Sequence, residues 1–147
     1  MDDRRRVPVP PEFRGALEGE PIIMYPGLEG CVQVYTLSGF VEENRELHER
    51  TSANKQIRNA RRRAFQLGRR QDKLDSQGRV TLDVGLVQHA HLQKDIRVIG
   101  AGPYFEIWDR PTIIAMDAEL EADYEATLKE ISEEDAARRR RGERGPR

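Results

Sequence analysis

The chain holds a single cysteine, Cys31, among 147 residues. That excludes an internal disulfide and a cysteine-rich zinc site. Aromatic residues amount to only 6%, so a core has to be built mainly from aliphatic side chains. No run approaches the roughly 18–20 apolar residues of a membrane span, and no membrane partner is expected. The opening residues, Met-Asp-Asp-Arg-Arg-Arg, have no apolar stretch behind them and do not read as a secretory signal. The expected compartment is the cytoplasm. An overall excess of one charge is also missing: Lys+Arg number 25 and Asp+Glu 26, for a formal net charge of −1.

That small total conceals a partition. Residues 1–108 carry 17 basic and 15 acidic side chains (+2), residues 109–135 carry 2 and 10 (−8), and residues 136–147 carry 6 and 1 (+5). Between residues 50 and 79 there are 10 basic side chains and only 2 acidic ones. A local basic patch creates the field that attracts phosphate whatever the total charge, so nucleic acid stays open as a partner. Any one charge run is equally a solvated helix face. With 37% hydrophobic and 35% charged residues, the chain can build one compact domain or two very small ones.

The most informative feature is a weak internal repeat. Asp2 is followed four positions on by Arg6, then Val7, a spacer and Val9; Asp75 is followed by Arg79, Val80, a spacer and Leu82. The two copies stand 73 residues apart. Each runs on into a pair of extended apolar segments around a Gly-bearing turn. In the first copy these hold Ile22, Ile23, Met24 and Tyr25, then Cys31, Val32, Val34 and Tyr35. In the second they hold Ile96, Val98 and Ile99, then Tyr104, Phe105, Ile107 and Trp108. Alternation and β-branched content favour strands, and the Gly/Pro clusters favour hairpins. Between the copies the period changes: Ile57, Ala60, Ala64 and Leu67 recur as on one helix face. After Trp108, so do Ile113, Met116, Leu120, Tyr124, Leu128 and Ile131. The residues from about Glu133 on are charge-dense and read as disordered. Each half has one thin apolar sheet face to bury, and the other half is the obvious cover, in a pseudo-twofold arrangement.

The chemistry concentrates in the Asp-x-x-x-Arg segments. In the second copy, Asp75 can accept hydrogen bonds from backbone N–H groups of a tight turn, and Gly78 can take the positive φ that a Cβ penalises. Arg79 then leaves a stiff corner, with Arg69, Arg70 and Lys73 upstream. Its planar fork suits a phosphate or a guanine edge. An ordinary exposed hairpin with Asp75 and Arg79 paired across it is the alternative, and both readings stand at this point. In the first copy Arg5 replaces the glycine, and only Met1 precedes Asp2, so the opening strand that residues 68–74 provide in the second copy has no counterpart. His89 and His91 are spaced wrongly for a shared metal on a helix. Cys31 and Trp108 read as core or interface residues. The Gly100, Gly102 and Pro103 cluster reads as a hairpin turn, not a dinucleotide loop. No metal or cofactor is expected, and no coherent catalytic set emerges for a small hydrolase.

Asp75-Ser76-Gln77-Gly78-Arg79-Val80, Leu86, His89, and Phe105-Glu106-Ile107-Trp108-Asp109 resemble the second half of the MraZ family. Arg6-Val7-Pro8-Val9-Pro10 with Phe13, Arg14 and Leu17 resembles its first half, and Asn54 with residues 61–65 resembles its linker. The likeness spans about residues 2–130. It implies an α+β fold of two tandem AbrB-like swapped-hairpin units, packed with pseudo-twofold symmetry into one β-barrel-like core with flanking helices. The implied boundaries are 1–36 for the first unit (opening strand absent), 37–67 for a helical linker and 68–110 for the second unit. An amphipathic helix then covers 111–132 and a disordered basic tail 133–147. The resemblance further implies a cytoplasmic, nucleoid-associated transcriptional regulator, not an enzyme. Such a protein assembles as a homo-oligomeric ring on repeated boxes in double-stranded DNA, upstream of the division and cell-wall gene cluster and usually of its own gene. The family's DNA-contacting motif maps onto residues 2–6 and 75–79, so Asp2, Arg4, Arg5, Arg6, Lys73, Asp75, Gly78 and Arg79 are the expected DNA-binding residues. An antitoxin-like or other interaction module with weak DNA binding is the alternative.

Overall fold

The computed structural model describes residues 1–49 and 53–141. The chain divides into two compact units, Met1–Pro111 and Thr112–Arg147. The first unit contains seven short strands: β1 (Arg6–Pro8), β2 (Ile22–Pro26), β3 (Val32–Thr36), β4 (Arg69–Gln71), β5 (Arg79–Thr81), β6 (Ile96–Gly100) and β7 (Phe105–Asp109). They form two antiparallel sheets. One is the pair β1-β5, and the other has five strands in the order β4-β2-β3-β7-β6.

Two of these pairings join the halves of the chain, and their registers carry the 73-residue spacing. In β1-β5, Arg6 faces Thr81, Val7 faces Val80 and Pro8 faces Arg79. Adding 73 to each β1 residue gives the β5 residues, so this ladder maps onto itself about the Val7 and Val80 pair. In β3-β7, Val32 faces Ile107, Gln33 faces Glu106 and Val34 faces Phe105, and the same shift maps this ladder onto itself about Gln33 and Glu106. At one end of the large sheet β4 pairs with β2. At the other end β6 pairs only with β7 among the described residues. The position that β4 fills for the first half therefore has no occupant in the second among the described residues.

The helices of this unit start where the sequence supplies caps. Thr36, Asn54 and Asp83 each accept a backbone N–H at the start of α2 (Leu37–Glu43), α4 (Lys55–Leu67) and α5 (Val84–His89). α1 (Pro11–Arg14) begins at a proline, whose fixed φ suits a first turn. α3 (Arg45–Glu49) lies between α2 and α4. The central core is aliphatic: Val7, Val9, Ile22, Met24, Val32, Val34, Val80, Leu82, Leu86 and Ile107 are all at most 1% exposed. Burying each Val, Leu or Ile contributes about 1.5–3 kcal/mol against the unfolded chain. A second cluster of Tyr25, Tyr35, Phe40 and Ala64 packs α2 and α4 residues against tyrosines of β2 and β3. Cys31 is fully buried, and desolvation, aided by the Glu106 charge, pushes its thiol up to about 12. It is a core residue and not a nucleophile. His89 ties the end of α5 to the β2-β3 turn through Nε2 and the Gly27 carbonyl, 2.8 Å apart.

Two expectations need correction. First, the core is not a closed barrel. β1 and β5 are three residues each and pair only with one another, so they form a separate ribbon and leave the five-stranded sheet open. Second, residues 133–140 are not disordered: α7 (Asp117–Arg140) runs through them. The stretch lacks Gly and Pro, is rich in Ala, Glu and Arg, and ends in Arg138, Arg139 and Arg140, which complement the negative end of the helix dipole. The low apolar content that suggested disorder does not prevent a solvated helix. Residues 142–147 lie outside the described residues. Of the apolar stripe of the second unit, Leu120, Tyr124, Leu128 and Ile131 are exposed. α6 (Arg110–Ala115) precedes α7 across the boundary of the units. No helix among the described residues is long and apolar enough to cross a membrane.

Candidate nucleic-acid interface

The β1-β5 ribbon fixes where the two Asp-x-x-x-Arg segments stand, because each segment is the turn leading into one of its strands. The two turns are closed by the same set of bonds. In the first, Asp2 Oδ1 accepts the backbone N–H groups of Arg4 (3.0 Å) and Arg6 (2.8 Å). In the second, Asp75 Oδ1 accepts those of Gln77 and Arg79, both at 2.9 Å. The other carboxylate oxygen takes the Nε–H of the motif arginine, at 2.6 Å from Arg6 to Asp2 and 2.7 Å from Arg79 to Asp75. The fourth residue of each turn has positive φ: 60° at Arg5 and 72° at Gly78. Arg5 therefore adopts the left-handed conformation that glycine takes freely, at a cost of about 1 kcal/mol.

The motif arginines are thus paired with their own aspartates, as the exposed-hairpin alternative expected. Their side chains keep 30% (Arg6) and 19% (Arg79) of their surface exposed. A guanidinium bound through Nε retains the Nη1 and Nη2 donors of its outer fork, the edge that matches a phosphate or the O6/N7 edge of guanine. The aspartate thereby acts as a splint for the arginine. The two corners are also neighbours: Arg79 Nη1 lies 3.9 Å from Asp2 Oδ2.

The remaining expected residues surround these corners. Arg4 is exposed on the first turn, and Lys73 is exposed in the loop that leads from β4 to the second. Three further residues support the site: Arg69, which the sequence singled out for its charge, and Gln71 and Arg14, which sequence reasoning did not place there. Gln71 donates to the carbonyls of Lys73 and Arg79 and accepts from the Thr81 N–H, which stitches the Lys73 loop to β5. Arg69 pairs with Asp83 at 3.2 Å. Arg14 donates its Nε–H to the Val9 carbonyl at 2.8 Å and lies over Gly78. Among the described residues, no group of His, Cys, Asp and Glu could hold a metal ion.

A family model described as "MraZ protein, putative antitoxin-like" matches residues 65–142. Proteins named transcriptional regulator MraZ are similar over most of the chain. The one from Clavibacter michiganensis subsp. michiganensis is 36% identical over 112 residues, covering 76% of this chain and 77% of the relative. The one from Micrococcus luteus is 32% identical over 131 residues, covering 89% and 90%. The one from Limosilactobacillus fermentum is 38% identical over 111 residues, covering 74% and 75%. The chain belongs to the MraZ family. Its MraZ relatives carry the name of a regulator, so this is a non-enzymatic family.

In this MraZ chain the carboxylates that splint the corners sit below their ordinary range. For Asp2 the chief cause is the Arg6 backbone N–H, with the Arg6 guanidinium adding to it. For Asp75 desolvation pulls the other way, but the side-chain and backbone bonds from Arg79 and the Gln77 N–H outweigh it. Asp83 and Glu20 are lowered chiefly by the backbone N–H groups of Gly85 and Ser38. A carboxylate whose folded value lies below its unfolded value stabilises the fold above the unfolded value, and that stability is lost as pH falls through the folded value. The melting temperature should therefore be flat from about pH 6 to 5 and fall progressively below about pH 4. Circular-dichroism melts across that range check it; a melting temperature that rises on acidification contradicts the arrangement.

Proposed function

We propose that this protein binds double-stranded DNA sequence-specifically and regulates transcription. Arg6 and Arg79 meet the bases, and the cations around them, Arg4, Arg5 and Lys73, meet the backbone. The observation that carries the reading is the pair of like-built, adjacent corners on the β1-β5 ribbon, each presenting a splinted guanidinium. The regulator name of the relatives supports it. The finer proposal is that tandem swapped-hairpin units, bounded at 1–36 and 68–110, assemble as a homo-oligomeric ring on repeated boxes, nucleoid-associated and upstream of the division and cell-wall genes, this protein's own gene included. One pair of corners makes few contacts. Repetition around an assembly raises the effective concentration of each later contact and supplies the affinity that one pair lacks.

A mobility shift with the duplex directly upstream of the protein's own gene tests the proposal. Retention should be strong at low salt and fall steeply with added KCl, by a factor that reports the phosphates neutralised, about 0.9 in log–log slope for each. A scrambled duplex should be retained more weakly. No retention of either duplex at low salt rules the reading out.

The antitoxin-like description of the family and the exposed Leu120, Tyr124, Leu128 and Ile131 on α7 favour a second role for the helical unit, as a surface for another protein. Removing residues 112–147 would then abolish partner capture and leave DNA binding intact.

A further inference from the structure

The two corners differ in sequence at one decisive place, Arg5 against Gly78, and yet each ends with a second guanidinium on the same kind of backbone carbonyl. At the first corner, Arg5 turns its own Nε–H onto the Leu82 carbonyl, 3.0 Å away. At the second, where Gly78 has no side chain, Arg14 reaches over from α1 and places its Nε–H on the Val9 carbonyl at 2.8 Å. Val9 and Leu82 are equivalent under the 73-residue shift, and the chains close symmetrically there, with the Val9 N–H on the Gly78 carbonyl and the Leu82 N–H on the Arg5 carbonyl, both at 2.9 Å. The space over Gly78 is the space Arg14 uses: a Cβ built there would lie 2.6 Å from Arg14 Cζ and 2.7 Å from its Nε. One position is thus filled twice, from two different places in the chain.

Arg6 and Arg79 have their charge compensated by Asp2 and Asp75. Arg5 and Arg14 each spend Nε on a neutral carbonyl and form no ion pair among the described residues, so each keeps a full positive charge and an outer fork. A cleft adjoins each of them. One is lined by Arg14, Lys73 and Gly78, the other by Arg5, Arg69, Arg70 and Asp83; Asp83 is paired with Arg69 and also feels the Arg5 charge. Glu18, Glu20, Asp72 and Asp75 also line the first: Asp72 is paired with Arg70 and Asp75 with Arg79, while Glu20 bonds only the neutral Ser38 and, like Glu18, keeps its charge.

We propose that Arg14 and Arg5 are a matched pair of phosphate-contacting residues, one beside each base-reading arginine, with Gly78 kept free of a side chain so that Arg14 can reach the place that Arg5 reaches from the turn itself. This rests on the DNA-binding reading above. The division of labour follows from charge: guanidiniums paired with their own aspartates add little net attraction to the backbone and can give specificity, and those without an ion-pair partner give the salt-dependent attraction.

The test uses the full chain and two duplexes of equal length, one from directly upstream of its own gene and one of scrambled sequence, titrated by fluorescence anisotropy over a KCl series. Arg14→Ala should weaken binding to both duplexes by a similar factor, about tenfold at low salt, and reduce the slope of log affinity against log KCl by about one. Arg5→Ala should match it within about threefold. The double variant R14A/G78R, which rebuilds at the second corner the arrangement Arg5 has at the first, should recover most of the affinity and the lost slope. If the wild type binds neither duplex, the DNA-binding reading itself fails. If the wild type binds and a folded Arg14→Ala variant keeps its affinity and slope, or loses only discrimination between the duplexes, the phosphate role is wrong while the DNA reading stands. Recovery by R14A/G78R supports the matched-pair placement. A folded double variant as weak as Arg14→Ala overturns it, and so does an Arg5→Ala effect that differs in kind from that of Arg14→Ala.

Discussion

Replacing Arg79 by alanine should reduce affinity for the upstream duplex by at least tenfold while the protein stays folded. A two-donor contact to a base edge contributes about 1–3 kcal/mol. The loss here should reach the upper end of that range, because the substitution also strips Asp75 of its partner. A carboxylate then faces the DNA uncompensated, and Asp2 Oδ2, only 3.9 Å from Arg79 Nη1, keeps a single compensating arginine instead of two. Arg79→Lys should not restore binding, since an ammonium has neither the planar fork nor the Nε–H that the Asp75 splint holds. Stability should change little, as is usual on loss of a partly exposed ion pair. Anisotropy titration together with a circular-dichroism melt decides the matter: unchanged affinity of a folded Arg79→Ala protein removes Arg79 from the interface.

The second large effect is on the fold. Ile107→Ala should cost about 2–5 kcal/mol, against a total stability of about 5–15 kcal/mol for a domain. Ile107 is fully buried and faces Val32 across the β3-β7 ladder that joins the two halves. A cavity there weakens both halves together. Chemical denaturation should therefore show one cooperative transition at lower denaturant, with its slope unchanged. Two separated transitions would mean that the halves fold independently, contrary to their shared core.

The reasons some of this was legible in the sequence and some was not are physical. The Asp-x-x-x-Arg turns are local: carboxylate, turn N–H groups and guanidinium lie within five residues, so the spacing offered the closure seen at residues 75–79 as one of two readings, and left open whether residues 2–6 close the same way. The burial of Cys31 follows from an equally local cue, its place in a strand-like apolar run. Arg14 was missed because its role depends on an absence far along the chain, the missing side chain at Gly78, and nothing in the run Glu12-Phe13-Arg14 announces it. The placement of β4 against β2 was missed for a related reason: a hairpin pattern names the strands but not which edge a third strand joins. The tail was misread because charge density signals poor burial, whereas helix formation at residues 133–140 needs only good local formers.

The ladders β1-β5 and β3-β7 also set an order of events during synthesis. When Thr36 has left the ribosome, β3 already has β2 beside it, but β1 lacks β5 and β3 lacks β7, both in a stretch ending at Asp109. At about 5–20 residues per second, the 73 residues between Thr36 and Asp109 take roughly 4–15 s to appear. For that interval the nascent first half carries two bare strand edges whose natural complements are near-copies of themselves. The segment most open to premature pairing between neighbouring chains on one messenger is therefore the one that emerges first, and helices α2 to α4, made during the wait, can cover only the tyrosine side of the sheet.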